Sequence, residues 1–371
     1  MASELNVAFI GAGGVNFGGA EGPWDHASRL EQIEGIRLAG VADPDNDTAR
    51  SQLAKRSGAM YDGTRVFADY RDMLSALDLD AVWIGVPPDV HGTLEDGKDI
   101  EAQCAGAGVP MFVEKPLSAE RPDKVRELAE LIEKTDVLVS VGYMFRYSRA
   151  VDEMREILRS APGGPCAFLA LYDCAYSHIR KTSWWDMRSS GGPIVEQATH
   201  FLDLARYVVG DAIASTITGV SIGPDEEKGQ LADLPRRGDG TTFQAPVPPE
   251  RRIPRATAAN WKFENGALGS LNHGVLLHGK KYEAEIEVWA DGLRLVLEDP
   301  YGASRLAVRR SGSDQTEVFT FPGDDPYMSE DRAFVQALRH DDPSPIRSTY
   351  ADALKTFELT WAITDAATGL G

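Results

Sequence analysis

Three cysteines in 371 residues, Cys104, Cys166 and Cys174, are too few for a disulfide framework, and no C-x-x-C spacing offers a thiolate zinc site. Basic residues are also scarce: 38 Lys and Arg stand against 57 Asp and Glu, a formal net charge of −19. A surface so short of cations does not neutralise phosphates, which disfavours nucleic acid and anionic lipid as partners and tilts the expected substrate toward a neutral molecule. No apolar stretch approaches the roughly 20 residues needed to span a bilayer. The opening Met1-Ala2-Ser3-Glu4 runs straight into a strand pattern with no basic leader. A soluble, cytoplasmic protein is the expectation. H-E-x-x-H is missing too, and with it any motif that would place a metal.

What is present is globular: 43% hydrophobic and 26% charged residues, in a chain long enough for two domains. Through residue 142, short apolar runs (Leu5 to Ile10, Ile36 to Ala42, Ala81 to Val86, Met111 to Val113, Val137 to Val141) alternate with helix-like stretches. These stretches include Asp47 to Ser57, Thr93 to Ala105 and Pro122 to Lys134. That alternation predicts an α/β, doubly wound parallel sheet over residues 1–142. From 143 to 371 the pattern changes to an α+β domain on a largely antiparallel sheet, with strands at Phe168 to Asp173, Ala256 to Phe263, Ala267 to Leu277, Tyr282 to Trp289 and Leu293 to Leu297. Asp291-Gly292 reads as a hairpin turn, Pro193 to Val209 as one helix, and 223–255 as a long surface loop. Helices close the chain at Ser329 to Leu338 and 350–367, the last with room to pack back on the first domain.

Ligands of parallel sheets bind at the carboxyl ends of the strands, and three segments with chemistry fall there. Gly11-Ala12-Gly13-Gly14 follows the first run, so Gly11, Gly13 and Gly14 let backbone N–H groups approach a pyrophosphate. Asn16 stands where G-x-G-x-x-G has its third glycine, and Phe17 to Pro23 resembles an insertion before a helix starting near Trp24. Asp43 ends the second run, where a carboxylate accepts from ribose hydroxyls and repels a 2′-phosphate, favouring NAD with NADP as the alternative. Its competing role is the N-cap of the next helix. Pro87, Pro88 and His91 follow the third run as a stiff turn that would pack on the nicotinamide end, or serve merely as a strand-to-helix turn. Glu114-Lys115-Pro116 places a lysine at the same edge, where its ammonium can hold a hydroxyl beside the cofactor.

In the second domain, Glu196 and His200 lie four apart on the predicted helix: imidazole moves a proton near neutral pH, and the carboxylate orients it or a substrate. A cap and an interior histidine are the plain alternative. Tyr176, Trp184 and Trp185 offer ring faces to the C–H faces of a sugar, with core packing as the competing role of the tryptophans. Arg146 would line the same cleft.

These motifs, together with Phe67-Ala68-Asp69-Tyr70, Val141-Gly142-Tyr143, Gly191 through Asp203 and Phe263-Glu264-Asn265-Gly266-Ala267-Leu268, resemble the Gfo/Idh/MocA family of oxidoreductases along nearly the whole chain. The resemblance implies a Rossmann domain, an open-sheet domain, NAD or NADP as cofactor, and assembly into homodimers or homotetramers. It maps the family's E-K-P lysine onto Lys115 and its D-x-x-x-H pair onto Glu196 and His200, with Glu in place of Asp. The expected chemistry is hydride transfer between the nicotinamide and a secondary alcohol or ketone of a sugar, amino sugar or cyclitol. Two other functions use the same motifs: redox-assisted elimination of a glycoside with NAD recycled, and NAD(P) sensing without turnover.

Overall fold

Parallel strands covered on both faces are built from continuous apolar runs. In the computed structural model, which describes residues 4–19, 25–277 and 281–369, the N-terminal runs form Leu5–Ile10 (β1), Ile36–Ala42 (β2), Arg65–Phe67 (β3), Ala81–Ile84 (β4), Met111–Val113 (β5) and Val139–Val141 (β6). They make one six-stranded sheet in the order β3-β2-β1-β4-β5-β6, every neighbouring pair parallel. β3 is a three-residue edge with an exposed Arg65, too short and polar to stand out in the sequence. The helix predicted from Thr93 begins only at Ile100, because Gly97 turns the chain at φ +81°. The helix start near Trp24, and Ala20 to Pro23 of the insertion, lie outside the described residues.

The chain divides into two units, Met1–Met144 with Asp325–Leu354, and Phe145–Asp324 with Lys355–Gly371. The sequence pattern puts everything from 143 onward in one domain; instead, the helix Pro326–His340 returns to the first unit. The cause is apolar: Phe334 and Val335 are buried in the core that holds Phe9, Trp83 and Phe112. The Phe334 ring meets Trp83 edge-on at 5.2 Å. Burying one such side chain contributes about 1.5–3 kcal/mol. The last helix, Tyr350–Thr368, belongs from Lys355 onward to the second unit. There Thr356 Oγ1 donates to Asp203 Oδ1 at 3.0 Å, and Ser221 Oγ donates to the Ala367 carbonyl at 2.9 Å.

The second unit carries an eight-stranded mixed sheet of Pro165–Ala175 (β7), Thr218–Ile222 (β8), Ala256–Lys262 (β9), Leu268–Leu277 (β10), Tyr282–Ala290 (β11), Leu293–Glu298 (β12), Arg305–Arg310 (β13) and Thr316–Thr320 (β14). The order is β14-β13-β12-β11-β7-β10-β9-β8. Only β7 and β10 pair in parallel. The Asp291-Gly292 turn joins β11 to β12 with Ala290 opposite Leu293 and Gly292 at φ +68°. Residues 223–255, expected as a surface loop, instead send Leu231, Leu234, Phe243, Val247 and Ile253 into a satellite core with Tyr176 and Trp185. Among the described residues no helix is long and apolar enough to cross a membrane.

Trp261 and Gly269 pair across β9 and β10, and a Cβ on Gly269 would lie 2.0 Å from the indole. Gly269→Ala is therefore expected to cost about 1–3 kcal/mol, read as a lower urea midpoint. An unchanged midpoint would contradict this packing.

Candidate functional site

At the carboxyl end of the sheet, β1 and β4 are neighbours whose connections run to opposite sides, the arrangement that opens a ligand crevice. Gly11 leaves β1 at φ +95°, and a Cβ there would sit 2.7 Å from the Gly85 carbonyl oxygen, so no other residue fits. Gly13 and Gly14 differ: a Cβ on either would meet nothing within 4 Å. Packing within the protein does not demand those two glycines, and their bare backbone leaves a cradle that side chains would fill. Asn16 is fully buried, and its Nδ2 donates to the carbonyls of Gly11 at 2.7 Å and Ile10 at 3.1 Å. Its side chain occupies the space over Gly85, where a Cβ would come within 2.7 Å of Oδ1. The glycine absent at position 16 is thus offset by one at position 85.

Asp43 is not the helix cap; Asp45 is, accepting from the N–H groups of Asp47 and Thr48. Asp43 Oδ2 instead accepts from Ala12 N at 2.7 Å, and Oδ1 from Asp45 N at 2.8 Å. The carboxylate at the end of β2 therefore fixes the glycine turn at the end of β1.

Pro87 and Pro88 lead a 3₁₀ turn after β4, and the Pro88 carbonyl accepts from Ala119 N at 2.7 Å. His91 is interior, only 2% exposed, with Nδ1 2.6 Å from Glu101 Oε1. Ser118 Oγ donates to the His91 carbonyl at 2.9 Å. His91 therefore braces the Pro87–Pro88 turn against the segment after Lys115. Glu114 and Lys115 emerge half-buried from β5, followed by a cis bond to Pro116. Glu114 Oε1 lies 3.1 Å from Nε2 of His26, whose Nδ1 lies 2.9 Å from Asp331 Oδ1. Trp83 Nε1 donates to that same Asp331 oxygen at 2.9 Å.

In the second unit, the predicted helix Pro193 to Val209 is broken. Pro193–Glu196 ends as Gln197 N and Ala198 N both turn to the Pro193 carbonyl, and a new helix runs over Thr199–Val209. Glu196 and His200 thus sit on two successive helices rather than on one. His200 is buried, edge-on to Phe145 at 5.6 Å and to Tyr301 at 6.2 Å. Glu196, Trp184, Gly192, Pro193, Gln197 and Ile253 line one narrow cleft. Gln197 faces His273 with Oε1 3.0 Å from Nε2. Burial pushes His273 down to about 3, so the ring is neutral at ordinary pH and its Nε2–H donates to the amide oxygen.

Three residues expected to contact substrate are placed otherwise. Arg146 is buried in a two-point ion pair with Asp203, Nε to Oδ2 at 2.8 Å and Nη2 to Oδ1 at 2.6 Å. Tyr176 and Trp185 are fully packed in the satellite core, and Trp185 Nε1 donates to the Ile179 carbonyl at 2.9 Å. Trp184 alone of that group stays partly exposed beside Glu196. A second cavity of about 560 Å³ lies on the eight-stranded sheet between Leu171, Val220, Ala258, Asn272 and Glu283, and His273, the partner of Gln197, lines it as well.

Residues 5–143 match the profile of the oxidoreductase family with NAD-binding Rossmann fold, the GFO_IDH_MocA family, and residues 146–293 match an oxidoreductase C-terminal domain. The chain is 38% identical to the uncharacterized protein UNK4.17 of Schizosaccharomyces pombe, over 98% of this chain and 91% of that one. It belongs to the Gfo/Idh/MocA oxidoreductase family. Myo-inositol 2-dehydrogenase of Thermotoga maritima is 23% identical over 86% of each chain. KijD10, a 3-ketoreductase from Actinomadura kijaniata solved with NADP and TDP-benzene, superposes with a TM-score of 0.74 at 17% identity, covering 98% of both chains.

Within this Gfo/Idh/MocA chain, sequence reasoning passed over His26, Asp331 and Gln197. His26 and Asp331 stand 305 residues apart and form no local pattern. Gln197 lies within an apolar spacing that runs on past it, so no sequence signal marks the helix break there. Removing Arg146 leaves a buried carboxylate at Asp203 with one partner fewer, so Arg146→Met is expected to cost about 3–5 kcal/mol in chemical denaturation. A loss below about 1 kcal/mol, the range of exposed pairs, would show that the pair is solvated.

Proposed function

We propose that this protein is an NAD(P)-dependent oxidoreductase that interconverts a secondary alcohol and a ketone on a sugar, amino sugar or cyclitol, with NAD preferred. The observation that carries the reading is one sheet edge. The open Gly13–Gly14 cradle after β1, the Pro87–Pro88 turn after β4 and Lys115 after β5 all leave the carboxyl ends of strands that lie side by side in the order β1-β4-β5. The residues fit a dinucleotide: bare backbone for a pyrophosphate at Gly11, Gly13 and Gly14, and a carboxylate at Asp43 for ribose hydroxyls. Family membership supports the same reading.

The nicotinamide, when bound, supplies the hydride acceptor or donor. The chain's own groups do the rest. The Lys115 ammonium donates to the substrate oxygen and stabilises the alkoxide as charge develops there. His200 takes the hydroxyl proton in the oxidative direction and returns it in the reductive one. Glu196 holds a neighbouring hydroxyl, and Trp184, in the same cleft, covers a C–H face of the ring. Glu114 fixes the approach to Lys115, while the His91 carbonyl, accepting from Ser118 Oγ, ties the Pro87–Pro88 turn to the segment after Lys115. A second copy of the chain is the proposed partner. Leu171, Val220, Leu268 and Trp289 all point from one side of the eight-stranded sheet and remain substantially exposed, an apolar area of the kind that homo-oligomers cover.

The test is a screen of the purified protein with polyols, aldoses and amino sugars and each cofactor, following reduced nicotinamide. With an active substrate found, Lys115→Met is expected to lower turnover by about 10²–10⁴-fold while NAD still binds. Unaltered turnover refutes the assignment of Lys115. Release of an aglycone with no net reduced cofactor replaces the dehydrogenase reading with the elimination one.

A further inference from the structure

We propose that His26 is a positioning residue for Lys115: as an imidazolium it ties the Glu114–Lys115 turn to Asp331 on the helix Pro326–His340. This rests on the role given to Lys115 above. The ring lies on the helix His26–Leu30, buried and edge-on to Phe112 at 4.9 Å. Its Nδ1 is 2.9 and 3.1 Å from the two Asp331 oxygens, and its Nε2 is 3.1 Å from Glu114 Oε1. Both partners are carboxylates that accept, so both ring nitrogens carry hydrogen, which only the cationic form allows. Asp331 is anchored a second time by the Trp83 indole on β4. Glu114 gains that anchor through His26. A Cβ on Gly142 would come 3.1 Å from Glu114 Oε1, so the carboxylate rests against bare backbone on its other side.

The charges around the ring are accounted for element by element. Asp331 and Glu330 come from the helix Pro326–His340, Glu114 from the end of β5, and Arg29 from the ring's own helix, paired with Asp325 at 3.5 Å. Burial, with Glu114 and Asp331 close by, holds the Glu330 carboxyl well above the usual range, so that it adds little charge at neutral pH. Burial works against a charge on His26, but Asp331 foremost and then Glu114 outweigh it and raise the ring to about 10. The folded value lies above the unfolded one of 6.5, so the stabilisation is complete below about 6.5 and disappears as pH rises through about 10.

The experiment uses the full chain in four variants: His26→Gln, Glu114→Gln, Glu114→Ala and Lys115→Met. Hydrogen exchange of the peptide around 112–118, corrected for intrinsic rates, needs no substrate. At pH 7 it is expected to accelerate about ten-fold in His26→Gln and in Glu114→Ala, an opening easier by about 1.4 kcal/mol, with β9 and β10 unchanged. Glu114→Gln, which keeps an oxygen for Nε2–H, is expected to stay close to wild type. The melting temperature of wild type is expected to fall more between pH 7 and pH 10 than that of His26→Gln. With a substrate from the screen, His26→Gln is expected to lower kcat by up to about a hundred-fold with KM and cofactor affinity little changed, and Glu114→Gln to retain most of what Glu114→Ala loses. Unaccelerated exchange in both His26→Gln and Glu114→Ala overturns the clasp. Faster exchange with kcat intact overturns the positioning role. Normal turnover in Lys115→Met puts the fault in the catalytic assignment, which the exchange data distinguish because they do not depend on it.

Discussion

The contact on which the first unit depends is the near touch of two backbones, Gly11 after β1 and Gly85 after β4. No side chain fits between them on the Gly11 side, and the Gly85 side is filled by Asn16 rather than by its own Cβ. Asp43 then joins the ends of β1 and β2 through Ala12 N. The turn after β1 is therefore fixed by hydrogen bonds and steric limits that lie within the protein itself.

The second unit holds the helix Thr199–Val209 by a buried polar network instead. Asp203 receives Arg146 from one side and Thr356 from the other. Arg206, one turn later, joins Thr356 and Asp211. Thr199–Val209, which carries His200, is thereby tied along its length to the last helix and to the residues just past its own C-terminus. Buried networks of this kind are fully satisfied or they destabilise. Arg146 is one of the groups that satisfy this one.

Most of the sheet in the first unit was legible because fully buried parallel strands are unbroken apolar runs; β1, β2 and β5 have the bounds their hydrophobicity marks. The edges were not. β14, Thr316–Thr320, is nearly all exposed and lacks the alternation by which a half-buried strand is read, and β3 is shorter than any pattern. The break at Gln197 escaped periodicity, since apolar spacing continues across it while the hydrogen bonds do not. Of the candidate residues, the glycines, Asp43 and Lys115 stand at strand ends, and Glu196 and Trp184 line a cleft. Tyr176, Trp185 and Arg146 went to the interior because aromatic rings and guanidinium groups serve cores and ligands by the same chemistry, and composition does not tell the two apart.

The return of Pro326–His340 to the first sheet also orders events in time. Phe334 and Asp331 complete an interior whose other walls are made from the first third of the chain, yet all of Phe145–Asp324 is synthesised in between. At ordinary elongation rates the ribosome needs roughly 10–40 s for that stretch. During the interval the nascent sheet presents Trp83 and Phe112 without their cover, so the emerging polypeptide is exposed to chaperone capture and self-association until the late helix arrives. For the same reason the dinucleotide-binding half of this chain is not a separable cassette: cut after β6, it would lose a wall of its own core.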